Sequence, residues 1–131
     1  MARGLSLTLL PDAVAICHLD PKAPIPEWAL ESGWWSITRT GDELSVVCEE
    51  ARVPTDVASS RGWRALKFDG PLPLDQTGIL ASVTTPLAAA RVSVFALATF
   101  STDYVLIPFA QQAAAISALE RAGHSVRSQG Y

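Results

Sequence analysis

Trp63-Arg64-Ala65-Leu66-Lys67-Phe68 alternates in polarity and is stopped by Gly70, Pro71 and Pro73, which marks a strand with one buried face. Over residues 77–90 the apolar Ile79, Leu80, Val83, Leu87 and Ala90 recur at helical spacing, with Asp75 or Thr77 placed to cap the helix. Residues 92–100 and 104–109 read as two apolar strands. A second helix follows over 110–122, with Gly123 where a C-cap glycine belongs, and His124-Ser125-Val126-Arg127 reads as a closing strand. The order from Trp63 onward is therefore βαββαβ.

Upstream of Trp63 the same plan is fainter. Alternation over 5–10, a turn at Pro11-Asp12 and the apolar run 13–17 predict a hairpin or two successive strands. Pro21, Pro24 and Pro26 punctuate a loop before a brief helix over 27–31, and residues 34–38 and 44–48 flank Thr40-Gly41-Asp42-Glu43 as a hairpin. Residues 54–60 read as a short helical turn. At an offset of 61, Thr38, Thr40 and Asp42 lie over Thr99, Ser101 and Asp103, each set joining one strand to the next. These signals predict an α+β chain of two tandem ferredoxin-like βαββαβ units with antiparallel sheets, divided near Arg61 into 1–61 and 62–131. The strand at 63–68 could belong to either unit or bridge them.

Composition narrows the function. The chain has 131 residues, half of them hydrophobic (49%), and a net charge of −3 with ten basic residues, so no dense basic stripe exists to neutralise a phosphate backbone. Nucleic acid is not an expected partner. Nor is a membrane, because charges, prolines or glycines break every long apolar run. The N-terminus shows no secretory signal pattern, so a cytoplasmic location is expected. Cys17 and Cys48 lie inside apolar runs and read as core thiols. Walker, nucleophile-elbow, GxGxxG and HExxH signatures are all missing, and neither His18 nor His124 has partner spacing suited to a base or a ligand; no enzyme activity, cofactor or metal is expected.

Two places could hold a ligand. Around Asp75-Gln76-Thr77-Gly78-Ile79 a proline-rich loop meets a helix start, whose free N–H groups and dipole suit a carboxylate; the other reading is an ordinary capped helix. At Thr99-Phe100-Ser101-Thr102-Asp103 an aspartate among hydroxyls and an aromatic could hold a cation; the other reading is a polar turn. Together they would offer both ends of an amino acid a partner.

The stretches Thr77-Gly78-Ile79-Leu80-Ala81-Ser82-Val83, Pro86-Leu87-Ala88, Val92-Ser93-Val94-Phe95 and Ser101-Thr102-Asp103-Tyr104-Val105-Leu106 resemble the ACT domain, in the tandem form of the CASTOR-like arginine sensors and their small bacterial relatives. Asp42-Glu43-Leu44-Ser45-Val46-Val47-Cys48 is similar to the hairpin of the first unit in those bacterial proteins. The resemblance implies a non-enzymatic regulatory protein that binds a free amino acid and acts on a regulated protein that the sequence does not identify. It implies carboxylate contacts at Gly78 and Ile79 and side-chain contacts at Thr99, Phe100, Thr102 and Asp103. Gln76 stands where the sensors have an acidic residue, and Thr102 where they have an aromatic one. It also implies a homodimer, with Ser93 and Val94 of one copy facing the ligand loop of the other. The alternative is a structural protein–protein interaction module with a vestigial ligand loop.

Overall fold

A computed structural model describes residues 4–129. Contacts divide the chain into a smaller unit, Asp12–Trp63, and a larger one that joins the residues up to Pro11 with those from Arg64 onward. A cut near Arg61 would assign the first eleven residues to the other unit. Both units draw on two long strands, β1 (Ser6–Leu19) and β4 (Ser59–Phe68). The strands run in opposite directions: in the smaller unit the His18 N–H donates to Ala58 O, and in the larger the Asp69 N–H donates to Ser6 O.

β1 corrects the expected hairpin at Pro11-Asp12 and joins the two successive strands of the other reading into one, because the strand passes through these residues without turning back. Proline's fixed φ is compatible with extended backbone, so it need not stop a strand where its missing N–H is not required. Leu7 and Leu9 are buried in the core of the larger unit and Ala15 and Cys17 in that of the smaller, whereas Asp12 and Ala13 between them are exposed.

In the larger unit, β4 is followed by α2 (Ile79–Ala89), β5 (Phe95–Ala98), β6 (Asp103–Pro108), α3 (Gln112–Arg121) and β7 (Ser125–Ser128). The expected βαββαβ order is present, with the start of β1 inserted as a fifth strand between β7 and β4 in the order β7-β1-β4-β6-β5. β5 is shorter than the strand expected over 92–100. β1 pairs with β7 in parallel, from Ser6 opposite Ser125 to Leu9 opposite Ser128, so this sheet is mixed and not purely antiparallel. One continuous core joins Leu7, Leu9, Leu66, Phe68, Val105 and Ile107 of the strands to Val83, Leu87, Ala115 and Leu119 of the helices. Burial of these side chains supplies the main stabilisation, at about 1.5–3 kcal/mol for each large one.

Proline inside α2 explains a buried histidine. Pro86 has no N–H, so the Ser82 carbonyl one turn earlier lacks its helical donor. His124 fills that place, its Nε2 lying 2.9 Å from Ser82 O while Nδ1 accepts the Leu5 N–H at 3.0 Å, which assigns the ring proton to Nε2. A Schellman turn aims the ring: Gly123, at φ +97°, donates to Glu120 O, and the His124 N–H to Leu119 O. His124 is thus a buried structural residue that joins Leu5, just before β1, to α2 and the end of α3.

The smaller unit contains β1, α1 (Glu27–Leu30), β2 (Trp35–Arg39), β3 (Leu44–Glu49) and the start of β4, in the sheet order β2-β3-β1-β4. Among the described residues it has one α-helix, with only the 3-10 turn Glu50–Arg52 between β3 and β4, which corrects the βαββαβ order expected of the first half. Its core gathers Ala15, Cys17, Ala29, Leu44, Val46, Cys48 and Val53, and both cysteines are free and buried. Of the helical turn expected over 54–60, a single turn is present, the Val57 N–H donating to Pro54 O at 3.2 Å, and the chain enters β4 at Ser59.

The hairpins of the two units match, but at an offset of 59 and not 61. Thr40 N–H donates to Glu43 O at 2.9 Å, and Thr99 N–H to Thr102 O at 2.8 Å. In both turns the first threonine's hydroxyl also accepts the N–H three residues on. The same offset carries Arg39 opposite Leu44 onto Ala98 opposite Asp103, and the 3-10 turn Glu50–Arg52 onto Phe109–Gln111. Asp42 therefore has no counterpart in Asp103, because the two occupy different places in their turns.

Candidate functional site

The site lies in the larger unit, where the loop leaving β4 meets the β5–β6 turn. Thr102, nearly inaccessible, donates its hydroxyl to Phe68 O at 2.6 Å and fastens the turn to the end of β4. The Leu72 N–H donates to Ser101 O at 2.7 Å and fastens the loop to the same turn. Gly70 makes the approach possible: a Cβ there would meet Leu72 N at 3.1 Å and Ser101 O at 3.2 Å.

Between these ties a hollow of about 220 Å³ remains, lined by Leu72, Pro73, Leu74, Gln76 and Ile79 on the loop side and by Ala98, Thr99, Phe100, Thr102 and Asp103 on the hairpin side. It is smaller than the 300–1,000 Å³ typical of drug-sized pockets, a scale suited to a metabolite the size of an amino acid. Gln76, Ile79, Thr99, Phe100, Thr102 and Asp103 are thereby brought together. Gly78 immediately precedes Ile79. Ser93 and Val94 are elsewhere: the Ser93 N–H donates to Gln111 Oε1 at 3.1 Å, and Val94 packs on the core.

α2 opens beside the hollow without a side-chain cap, which corrects the expectation that Asp75 or Thr77 would provide one. Its N-cap is Gly78, at φ +80° and ψ 0°, so the residue type answers the backbone conformation and not crowding; a Cβ there would meet nothing within 4 Å. The amides of the first turn precede any helical acceptor and carry the positive end of the dipole. Across the hollow, Asp103 begins β6 opposite Ala98, half-buried, and no described side chain forms an ion pair with its carboxylate. The Thr102 hydroxyl is already engaged with Phe68, so its part is to hold the turn. At the rim Phe100 is 81% exposed and Leu74 69%.

Leu72, Pro73, Leu74 and Ala98 were not among the expected site residues. A second, larger hollow of about 340 Å³ lies beside Ser6, Ser125 and Arg127. Its polar groups are mutually engaged: Thr8 donates to Asp69 Oδ1 at 2.7 Å, Arg127 Nε donates to Thr8 Oγ1 at 3.1 Å, and Arg127 lies 3.5 Å from Asp69. The smaller hollow, with an open helix end and an unpaired carboxylate, is the better candidate. Among the described residues no three His, Cys, Asp or Glu side chains cluster to hold a metal, and no helix is long and apolar enough to cross a membrane.

Residues 58–121 match the ACT domain family, and residues 12–56 match the N-terminal domain of a further family. The human cytosolic arginine sensor for mTORC1 subunit 1 is 31% identical over 130 residues, covering 87% of this chain. The chain spans 38% of that relative's length. A crystal structure of an Agrobacterium tumefaciens protein is 38% identical, with a TM-score of 0.93, covering 99% of this chain and 97% of the other. The regulatory subunit of aspartate kinase from Thermus thermophilus shares the fold at 11% identity, with a TM-score of 0.60 over 86% of this chain and 93% of that one.

Proposed function

The chain is an ACT-domain protein related to the cytosolic arginine sensors and of one family with the Agrobacterium protein, and on that premise we propose that it is a non-enzymatic regulatory protein that binds a free amino acid. The observation that carries this reading is the hollow with an uncapped helix start on one wall and Asp103 on the other. The ligand's carboxylate would take the first-turn amides of α2 at Ile79, and Asp103 would take its cationic end. Phe100, Leu74 and Ile79 would cover the carbon chain. Binding then bridges the loop and the hairpin, and it shifts the protein toward whichever arrangement holds both in contact with the ligand.

The matching hairpin turns at Thr40 and Thr99 support a tandem reading, in which the smaller unit is a reduced ACT-like copy. Ser93 and Val94 lie away from the hollow of their own chain, so a ligand role for them needs a second copy, as in a homodimer. A cytoplasmic setting accords with a regulator of soluble metabolites.

The exposed Phe100 and Leu74 favour a second reading, a protein-interaction module that uses this rim without a ligand. Thermal melts against each of the twenty amino acids separate the two. A ligand held only by the native state raises Tm with concentration, as RT ln(1 + [L]/Kd) requires. Silence from all twenty at millimolar concentration would leave the interaction module standing.

A further inference from the structure

In the smaller unit the place that corresponds to the hollow is crossed by a side chain of the protein itself. Arg39 ends β2 opposite Leu44 as Ala98 ends β5 opposite Asp103, so the two share a position in matching hairpins. Ala98 lines the hollow, next to the loop that joins β4 to α2. Arg39 instead reaches the loop that joins β1 to α1, where its Nη2 donates to Ala23 O at 2.7 Å and its Nη1 donates to Pro21 O.

The loop is shaped for this contact. The Lys22 N–H donates to Asp20 Oδ1 at 2.8 Å and the Ala23 N–H to Asp20 O at 3.0 Å, a tight turn that offers two carbonyls to one planar group. A guanidinium presents its donors in a fixed fork, which an ammonium lacks. In the larger unit loop and hairpin are tied by main chain, from Leu72 to Ser101, and a hollow is left; in the smaller unit they are tied by the guanidinium.

We propose that the Pro21–Ala23 carbonyls form a guanidinium-binding site that Arg39 fills in cis, closing the smaller unit's counterpart of the hollow to free ligands. The inference stands on the matching hairpins and the Arg39 contacts, and it does not require that the larger unit bind an amino acid.

Chemical rescue tests it. Arg39→Ala is expected to lower Tm by about 3–6 °C through loss of the charge-assisted bonds. Methylguanidinium at millimolar concentration is expected to raise the variant's Tm saturably, while methylammonium does not and the unaltered chain responds to neither. An equal response of variant and unaltered chain, or equal rescue by methylammonium, would overturn the proposal, as would an unchanged Tm in the variant. If Arg39→Ala does not fold alone, refolding it with methylguanidinium should recover it. Arg39→Gln, which keeps the stem and loses the charge, is then the variant on which the cation is titrated, and failure of both responses overturns the proposal.

Discussion

His124 donates from Nε2 to the Ser82 carbonyl at 2.9 Å, the one acceptor in α2 that Pro86 deprives of its helical donor. The proline and the histidine are therefore energetically coupled although they lie 38 positions apart in sequence (86 to 124). His124→Ala leaves both Ser82 O and the Leu5 N–H without this partner in a nearly dry setting, and should cost about 2–4 kcal/mol. In a Pro86→Ala background the restored helical N–H answers Ser82, so the same histidine change should cost about 1 kcal/mol less. Urea titration of the two single variants and the double variant measures the coupling; strict additivity would show that the bond carries no such role.

The buried thiols make stability depend on alkaline pH. Cys48 donates its S–H to Cys17, and this bond, reinforced by burial, holds its pKa far above the ordinary 9.0. Because the folded value is raised, the associated stability is fully present below the unfolded pKa and is lost as pH rises above it. Above about pH 9 the unfolded chain releases a proton that the folded one keeps, a slope of about −1.4 kcal/mol per pH unit. Replacing both thiols by alanine should flatten the fall in stability between pH 9 and 10 by about that amount, because the bond that raises Cys48 also lowers Cys17 and a single replacement would leave the other thiol buried with its own pKa raised. Parallel pH profiles in urea titration would refute the assignment.

Local rules carried much of the larger unit. The period of residues 77–90 identifies α2, and Gly123 marks the end of α3 because only its positive φ lets the chain turn back through Leu119 and Glu120. Pro11-Asp12 failed as a turn signal, because a strand shared between two cores tolerates proline wherever its N–H is not needed. The repeat was visible but slipped by two residues. Threonines and aspartates are common at turns, whereas the Thr40 and Thr99 hydrogen bonds fix the register by geometry. In the candidate site, Gln76, Ile79, Thr99 and Asp103 are legible as polar or helix-start signals. Leu72, Leu74 and Ala98 are not, since they line a hollow only through the contacts of Thr102 with Phe68 and of Leu72 with Ser101, which bring distant segments together.

Asp103 gives the ligand reading its sharpest test, because its place at the start of β6 separates the two ends of an amino acid. A ligand held at the helix start by its carboxylate alone would be indifferent to this residue, whereas one whose cationic side chain reaches the hairpin would not. Asp103→Asn keeps the shape and removes the charge, so it should weaken a basic amino acid by about 1.5–3 kcal/mol, on the order of ten- to a hundredfold in Kd, and change a neutral one by less than threefold. Gly78→Ala should weaken both classes alike, because the forced φ of +80° disturbs the amides that receive the carboxylate. Calorimetric titration of the amino acids that raise Tm, across the three proteins, gives the comparison. Equal loss of basic and neutral ligands in Asp103→Asn would place the carboxylate in the fold of the turn and not in recognition, and would move the cation's contact elsewhere in the hollow.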